Sequence, residues 1–142
     1  MPGAKNPRLI WPILITTVLY IGSATRAPTL PDGLSFTGYD KVGHFCVYGM
    51  LAVAWLRALT LSKVIEMRHL ILAALIASVS GVVDEFIQYF NPARTYDYAD
   101  MLMDVIGSCA GVTVFHKATG LRCLLEKKPF ALKKTTSESS AQ

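Results

Sequence analysis

Hydrophobic positions gather into four runs along the chain, near Leu9 to Ala24, Val42 to Leu59, Leu70 to Phe90 and Ala99 to Phe115. Each approaches or meets the roughly 17 to 25 residues that a helix needs to cross a bilayer. The links between them are too short for a separate aqueous domain. The pattern predicts an all-α integral membrane four-helix bundle, with helices at about 9–24, 42–59, 70–90 and 99–115 forming one transmembrane domain over residues 1–120. The polar, basic segment 121–142 has no apolar periodicity and is expected to be a disordered cytoplasmic tail. Lys5 and Arg8 ahead of the first run, and "GSA" at Gly22 to Ala24 after it, also fit a cleaved signal peptide. We expect that segment to be retained as a helix, because its loss would leave three helices to shield a polar cluster.

The cluster is where the apolar pattern breaks. Asp40, His44 and Tyr48 are spaced i, i+4, i+8 and so share one helix face. Ser80, Asp84 and Gln88 form a stripe on the third helix, with Glu85 beside it, and Asp100 and Asp104 lead into Gly107 and Gly111 on the fourth. Composition sharpens the contrast. The chain is 52% hydrophobic, 17% charged and has a mean hydropathy of +0.39, whereas a soluble domain carries about 25% charged residues.

Lys and Arg set the orientation, since they accumulate on the cytoplasmic side of short loops. Eleven of them lie before helix one, between helices two and three, or after helix four; only Arg26, Lys41 and Arg94 lie on the other side. Both termini are therefore expected in the cytoplasm, with the 25–41 and 91–98 loops outside. The net charge of +4 is a topology signal, and no nucleic-acid partner is expected; membrane lipid is, with the tail lysines able to lie on anionic head groups. Cys46, Cys109 and Cys123 have no CxxC spacing and read as free thiols. Seven of the ten acids fall on the outer side, opposite to the bases.

A charge at the centre of a membrane helix costs about 2.5 to 3.5 kcal/mol even on the lenient insertion scale. His44, Glu85 and Asp104 lie roughly 6 Å inside their helix ends at 1.5 Å per residue, too deep for ordinary rim residues and shallow enough to reach outside water. The expectation is one polar pocket under the outer surface, joining Asp40, His44, Glu85, Gln88, Arg94 and Asp100. Its acids need Arg94, Lys41, His44, bound protons or a divalent metal to offset them; Asp40, His44, Glu85 and Asp104 are the candidate metal ligands. Tyr48 reads equally as core packing or site donor. Asp32 and Asp97 read as solvated loop acids, Gly107 and Gly111 as a close-packing face, and Arg57, His69 and His116 as anchors at the cytoplasmic end.

"DKVGHFCVYGML" (Asp40 to Leu51) followed by "DEFIQYFNPARTYDYADMLMDVIGSCAG" (Asp84 to Gly111) resembles the VanZ-like family, small bacterial membrane proteins named after a teicoplanin-resistance protein. Asp40, Lys41, His44 and Tyr48 match its first motif, Glu85 and Gln88 its second, and Arg94, Asp100 and Gly107 its third. Asp104 stands where the family commonly has Asn, which adds charge to the pocket and favours a cation or proton there. The resemblance implies action at the outer face of the cytoplasmic membrane on a cell-envelope lipid, a lipid-linked precursor or a lipoglycopeptide.

Two kinds of action fit that pocket. As an enzyme, the protein would use His44 or Glu85 as general base, Asp40 to orient His44, and Arg94 with Lys41 to hold an anionic head group, with Tyr48, Asp84, Gln88, Asp100 and Asp104 lining the substrate site. As a binder, it would use the same residues for recognition alone. A noncatalytic membrane scaffold and a small proton-coupled carrier are the alternatives, the carrier handicapped by the lack of a visible inverted repeat. No GxSxG, HExxH or Gly-rich phosphate loop points to a reaction, and no motif sets the oligomeric state.

Overall fold

The computed structural model describes residues 6–25, 38–60, 64–94 and 96–118, and these are almost entirely helical. A 3-10 turn at Pro7–Leu9 is started by Asn6, whose Oδ1 accepts from the Arg8 amide at 3.0 Å, and it runs straight into α1, Ile10–Ala24. Pro12 is tolerated because it sits in the first turn of α1, where its missing N–H has no intrahelical acceptor to lose. Gly38 leads into α2, Tyr39–Thr60, with φ of +86°, a backbone conformation that glycine alone adopts without steric cost. α3 is Met67–Tyr89, with the Glu66 amide donating to His69 Nδ1 at 3.1 Å at its start. α4 is Tyr98–Lys117, N-capped by Asp97, which accepts from the Ala99 amide at 2.8 Å.

α2, α3 and α4 are longer than the apolar runs that announced them. Charged residues such as Asp40, Lys41 and Lys117 belong to terminal turns, where a hydropathy pattern drops them although the backbone remains helical. The four helices, counting the Pro7–Leu9 turn with α1, have 18 to 23 residues and all are apolar enough to cross a membrane. At 1.5 Å per residue they span roughly 27 to 35 Å, which matches a hydrocarbon core of about 30 Å. Ile10, Trp11, Val18, Ile71, Leu75, Val79, Leu102 and Val114 all face outward. A surface this apolar on every side requires lipid rather than water around it.

α2 packs most extensively on α4, and α1 lies against α2 and α3 with less contact. The close α2–α4 approach has a specific cause. A Cβ added at Gly107 would stand 2.8 Å from Phe45 Cα, and one added at Gly111 would stand 2.8 Å from Gly49 Cα, so the two backbones touch where side chains are absent. Gly107 and Gly111 thus form the close-packing face expected of them.

The core is a seam that changes character along its length. Leu51, Ala52 and Leu56 of α2, Ala73 and Ala77 of α3, and Val112 and Phe115 of α4 fill one end. Continuing along the same buried faces, α3 presents Gly81, Asp84, Glu85 and Gln88, and α4 presents Gly107, Ser108, Asp104 and Asp100. The polar cluster is the continuation of the core, not a patch on its outside. At the opposite end Asn6 Nδ2 donates to the Ala58 carbonyl at 2.8 Å, which ties the start of α1 to the end of α2. Cys46 and Cys109 are free and exposed; Arg26, Asp32, Cys123 and the 121–142 tail lie outside the described residues.

Candidate functional site

The polar end is where α2 and α4 begin and α1 and α3 stop. Lys41, on the first turn of α2, places its Nζ 2.6 Å from Asp97 Oδ2, 3.0 Å from Asp100 Oδ1 and 3.2 Å from Asp40 Oδ2. One ammonium thereby stitches α2 to the cap and the first turn of α4. The Lys41 ammonium and the Ala99 amide hold the Asp97 carboxyl below the ordinary carboxylate range. The Asp97 amide in turn donates to Glu85 Oε2 at 3.3 Å, which connects α3 to the same group.

One turn deeper, His44 Nδ1 meets Asp104 Oδ1 at 2.9 Å. Asp104 is fully buried and reaches from α4 to the backbone of α3 at Gly81, where a Cβ would overlap its carboxylate. Gly81 is therefore what makes room for the acid. The His44 ring lies parallel to that of Tyr48, with centroids 6.0 Å apart. Glu85 is also fully buried, and suitable ligand atoms of His44, Glu85 and Asp100 all fall within 4.8 Å of one another. Glu85 Oε1, Asp104 Oδ2, Asp84 Oδ1 and the Tyr48 hydroxyl are buried with no hydrogen-bond partner among the described residues. In a low-dielectric interior such atoms carry a desolvation cost that only a ligand, an ion, a proton or water can relieve.

Beside this group is a cavity of about 430 Å³ between α1, α2 and α3. Val18, Leu19 and Val47 supply an apolar wall, and His44, Tyr48, Asp84, Gln88 and Arg94 supply a polar one. Val18, Tyr39 and Gly43 line it and are exposed, so it opens in the gap between α1 and α2. Gln88 Nε2 donates to Asp84 Oδ2 at 3.2 Å and approaches Ser23 Oγ at 3.5 Å. Asn91 Nδ2 donates to the Ser23 and Thr25 carbonyls, and Arg94 Nη2 donates to the Gly22 carbonyl at 3.2 Å, so the end of α1 is tied to the loop after α3. Among the described residues Arg94 forms no salt bridge, and its Nε is buried without a partner. Around the rim, Tyr89, Phe90, Tyr96 and Tyr98 pack edge to face, an aromatic belt of the kind that sits at head-group level.

The profile of the VanZ/LLP1 family matches residues 7–121. The chain belongs to the VanZ/LLP1 family. The match covers all four helices and every residue of the polar end, and with four membrane-capable helices it makes the chain a multi-pass membrane protein. No curated protein and no solved structure matches.

Set against this VanZ/LLP1 framework, the expected pocket residues are brought together at one end. Asp40, His44, Tyr48, Asp84, Gln88 and Arg94 line one cavity, and Glu85 and Asp100 lie within coordination reach of His44. Three assigned roles change. Asp40 does not orient His44; it pairs with Lys41, and Asp104 holds the imidazole, because it faces α2 from the helix that packs closest to it. Lys41 is not available to an anionic head group, being surrounded by three carboxylates. Asp40 and Asp104 also leave the metal candidates around His44 and Glu85, and Asp100 joins them.

Asp97 is a solvent-accessible acid ahead of α4, as expected, but it is also the cap of that helix and the nearest partner of Lys41. An Asp immediately before an apolar run is an N-cap signal that the sequence does carry. Ser23, Asn91 and Gly81 have no comparable signal, since their importance comes from which helix ends meet.

Proposed function

We propose that this VanZ/LLP1 protein binds an amphiphile with an anionic head group, a cell-envelope lipid, lipid-linked precursor or lipoglycopeptide, at the outer face of the bacterial cytoplasmic membrane. Arg94 carries this reading. At an end of the bundle rich in carboxylates, its guanidinium lines a cavity and, among the described residues, has no acid paired with it. A guanidinium matches a phosphate or carboxylate with paired N–H donors. The Gln88 amide and the Tyr48 hydroxyl stand on the same wall, and Val18, Leu19 and Val47 offer the apolar side along which the first part of a tail would lie.

The test is a binding titration of the protein in nanodiscs against three probes: phosphatidylglycerol, a polyprenyl phosphate and a lipoglycopeptide. A hydrogen bond to a charged group contributes ~1.5 to 3 kcal/mol. Arg94→Gln should therefore weaken the favoured probe about 10- to 150-fold, with Arg94→Lys in between. Equal affinity in wild type and Arg94→Gln for every probe would reject the reading.

The His44–Asp104 pair favours a second reading, in which the bound head group is also modified. A base oriented by a carboxylate is an arrangement used in general base catalysis. Under it His44→Ala and Glu85→Gln abolish turnover of the probe while its binding survives; for a binder, no probe is turned over by the wild type.

A further inference from the structure

We infer that His44, Glu85 and Asp100 form a binding site for one divalent transition metal, of the Zn²⁺ or Mn²⁺ type, with Asp104 orienting the histidine. The argument starts from what each side chain has already committed. Asp104 holds His44 Nδ1 at 2.9 Å. The Asp97 amide holds Glu85 Oε2 at 3.3 Å, and Lys41 holds Asp100 Oδ1 at 3.0 Å. One polar atom of each group is thus committed within the chain, and each side chain carries one further nitrogen or oxygen.

Glu85 supplies the independent sign of a ligand. Its side chain is fully buried, and Oε1 has no hydrogen-bond partner among the described residues. Suitable atoms of the three groups lie within 4.8 Å of one another, the separation of ligands around one ion. One imidazole with two carboxylates suits Zn²⁺ or Mn²⁺ better than Ca²⁺, which takes oxygen, or Cu⁺, which takes sulfur. A carboxylate on the far nitrogen of a coordinating histidine is the usual outer partner in such sites, which gives Asp104 its role. The neighbouring group of Asp40, Asp97 and Asp100 has comparable spacing, but Lys41 already lies among its carboxylates.

This site goes beyond the lipid reading and does not rest on it, since metal alone is the probe. Tag-free protein carrying His69→Ala and His116→Ala, which leaves His44 the sole histidine of the three, is stripped with chelator and titrated with Zn²⁺ and with Mn²⁺ by calorimetry. The expected result is one metal per chain, lost as saturable binding in His44→Ala, Glu85→Gln and Asp100→Asn, weakened about 10- to 100-fold in Asp104→Asn, and unchanged in Glu66→Gln at the opposite end. Where a ligand variant fails to fold, pulsed EPR of the Mn²⁺ form decides, because a directly coordinated imidazole gives a nitrogen coupling. Absence of stoichiometric binding, binding that survives Glu85→Gln, or bound Mn²⁺ without nitrogen coupling overturns the proposal.

Discussion

Gly107→Ala tests whether helix packing sets the geometry of the polar end. The added Cβ would stand 2.8 Å from Phe45 Cα and 2.9 Å from Phe45 C, against an optimum of about 3.5 to 4.0 Å between carbon atoms. Backbone cannot rotate away as a side chain can, so α2 and α4 must part by roughly 0.7 to 1.2 Å. Three residues before Gly107, Asp104 holds His44 at 2.9 Å. The same displacement opens that contact to roughly 3.6 to 4.1 Å, beyond hydrogen-bond reach. Overpacking costs about 1 to 3 kcal/mol and the lost charged hydrogen bond ~1.5 to 3, while Ala in place of Gly returns about 1 through helix propensity. The net loss expected is about 1.5 to 5 kcal/mol. Gly43→Ala, where a Cβ meets nothing within 4 Å, should be neutral or stabilising by up to about 1 kcal/mol. Unfolding titrations in mixed micelles measure both, and the His44 imidazole resonance reports the contact with Asp104. Gly107→Ala within about 0.5 kcal/mol of wild type, with an unmoved His44 signal, would refute the coupling.

The acid cap gives a pH dependence of defined sign. Lys41 and the Ala99 amide lower the Asp97 pKa from its ordinary value of 3.8, so its contribution is complete above that value and is lost as pH falls through the lowered one. Asp97→Asn should therefore be less stable than wild type at neutral pH, the gap narrowing only below about pH 4; no gap at neutral pH would mean that Asp97 acts through its cap hydrogen bond alone, which Asn retains. For orientation, in a cysteine-free background Ala93→Cys should react with an impermeant thiol reagent on intact cells and Lys117→Cys should not, and the reverse pattern would invert the topology.

The helices were legible because burial in lipid writes long apolar runs, and the polar faces were legible because i, i+4 spacing survives any detail of packing. His44 and Tyr48, Asp84 and Gln88, and Asp100 and Asp104 each fall on one face by arithmetic alone, and three breaks at one depth had to converge. Pairing across helices was not legible. Which acid meets His44 depends on the rotation and distance of α4 against α2, which the Gly107 and Gly49 backbones set. The commitment of Lys41 to Asp97 depends on where α4 starts, one turn before its apolar run becomes continuous. Arg94 was visible as a charge, but its lack of an acidic partner among the described residues is a property of the loop after α3 and the end of α1, which no spacing rule relates.

The most direct measurement is a density map of the protein in bilayer nanodiscs supplied with the anionic amphiphile that binds most tightly, its tail brominated for identification. The lipid-binding reading predicts head-group oxygens about 2.7 to 3.2 Å from the Arg94 guanidinium, with the bromine along Val18, Leu19 and Val47 between α1 and α2. A map with Arg94 turned onto Asp84, the cavity closed and the bromine elsewhere on the bundle would contradict it.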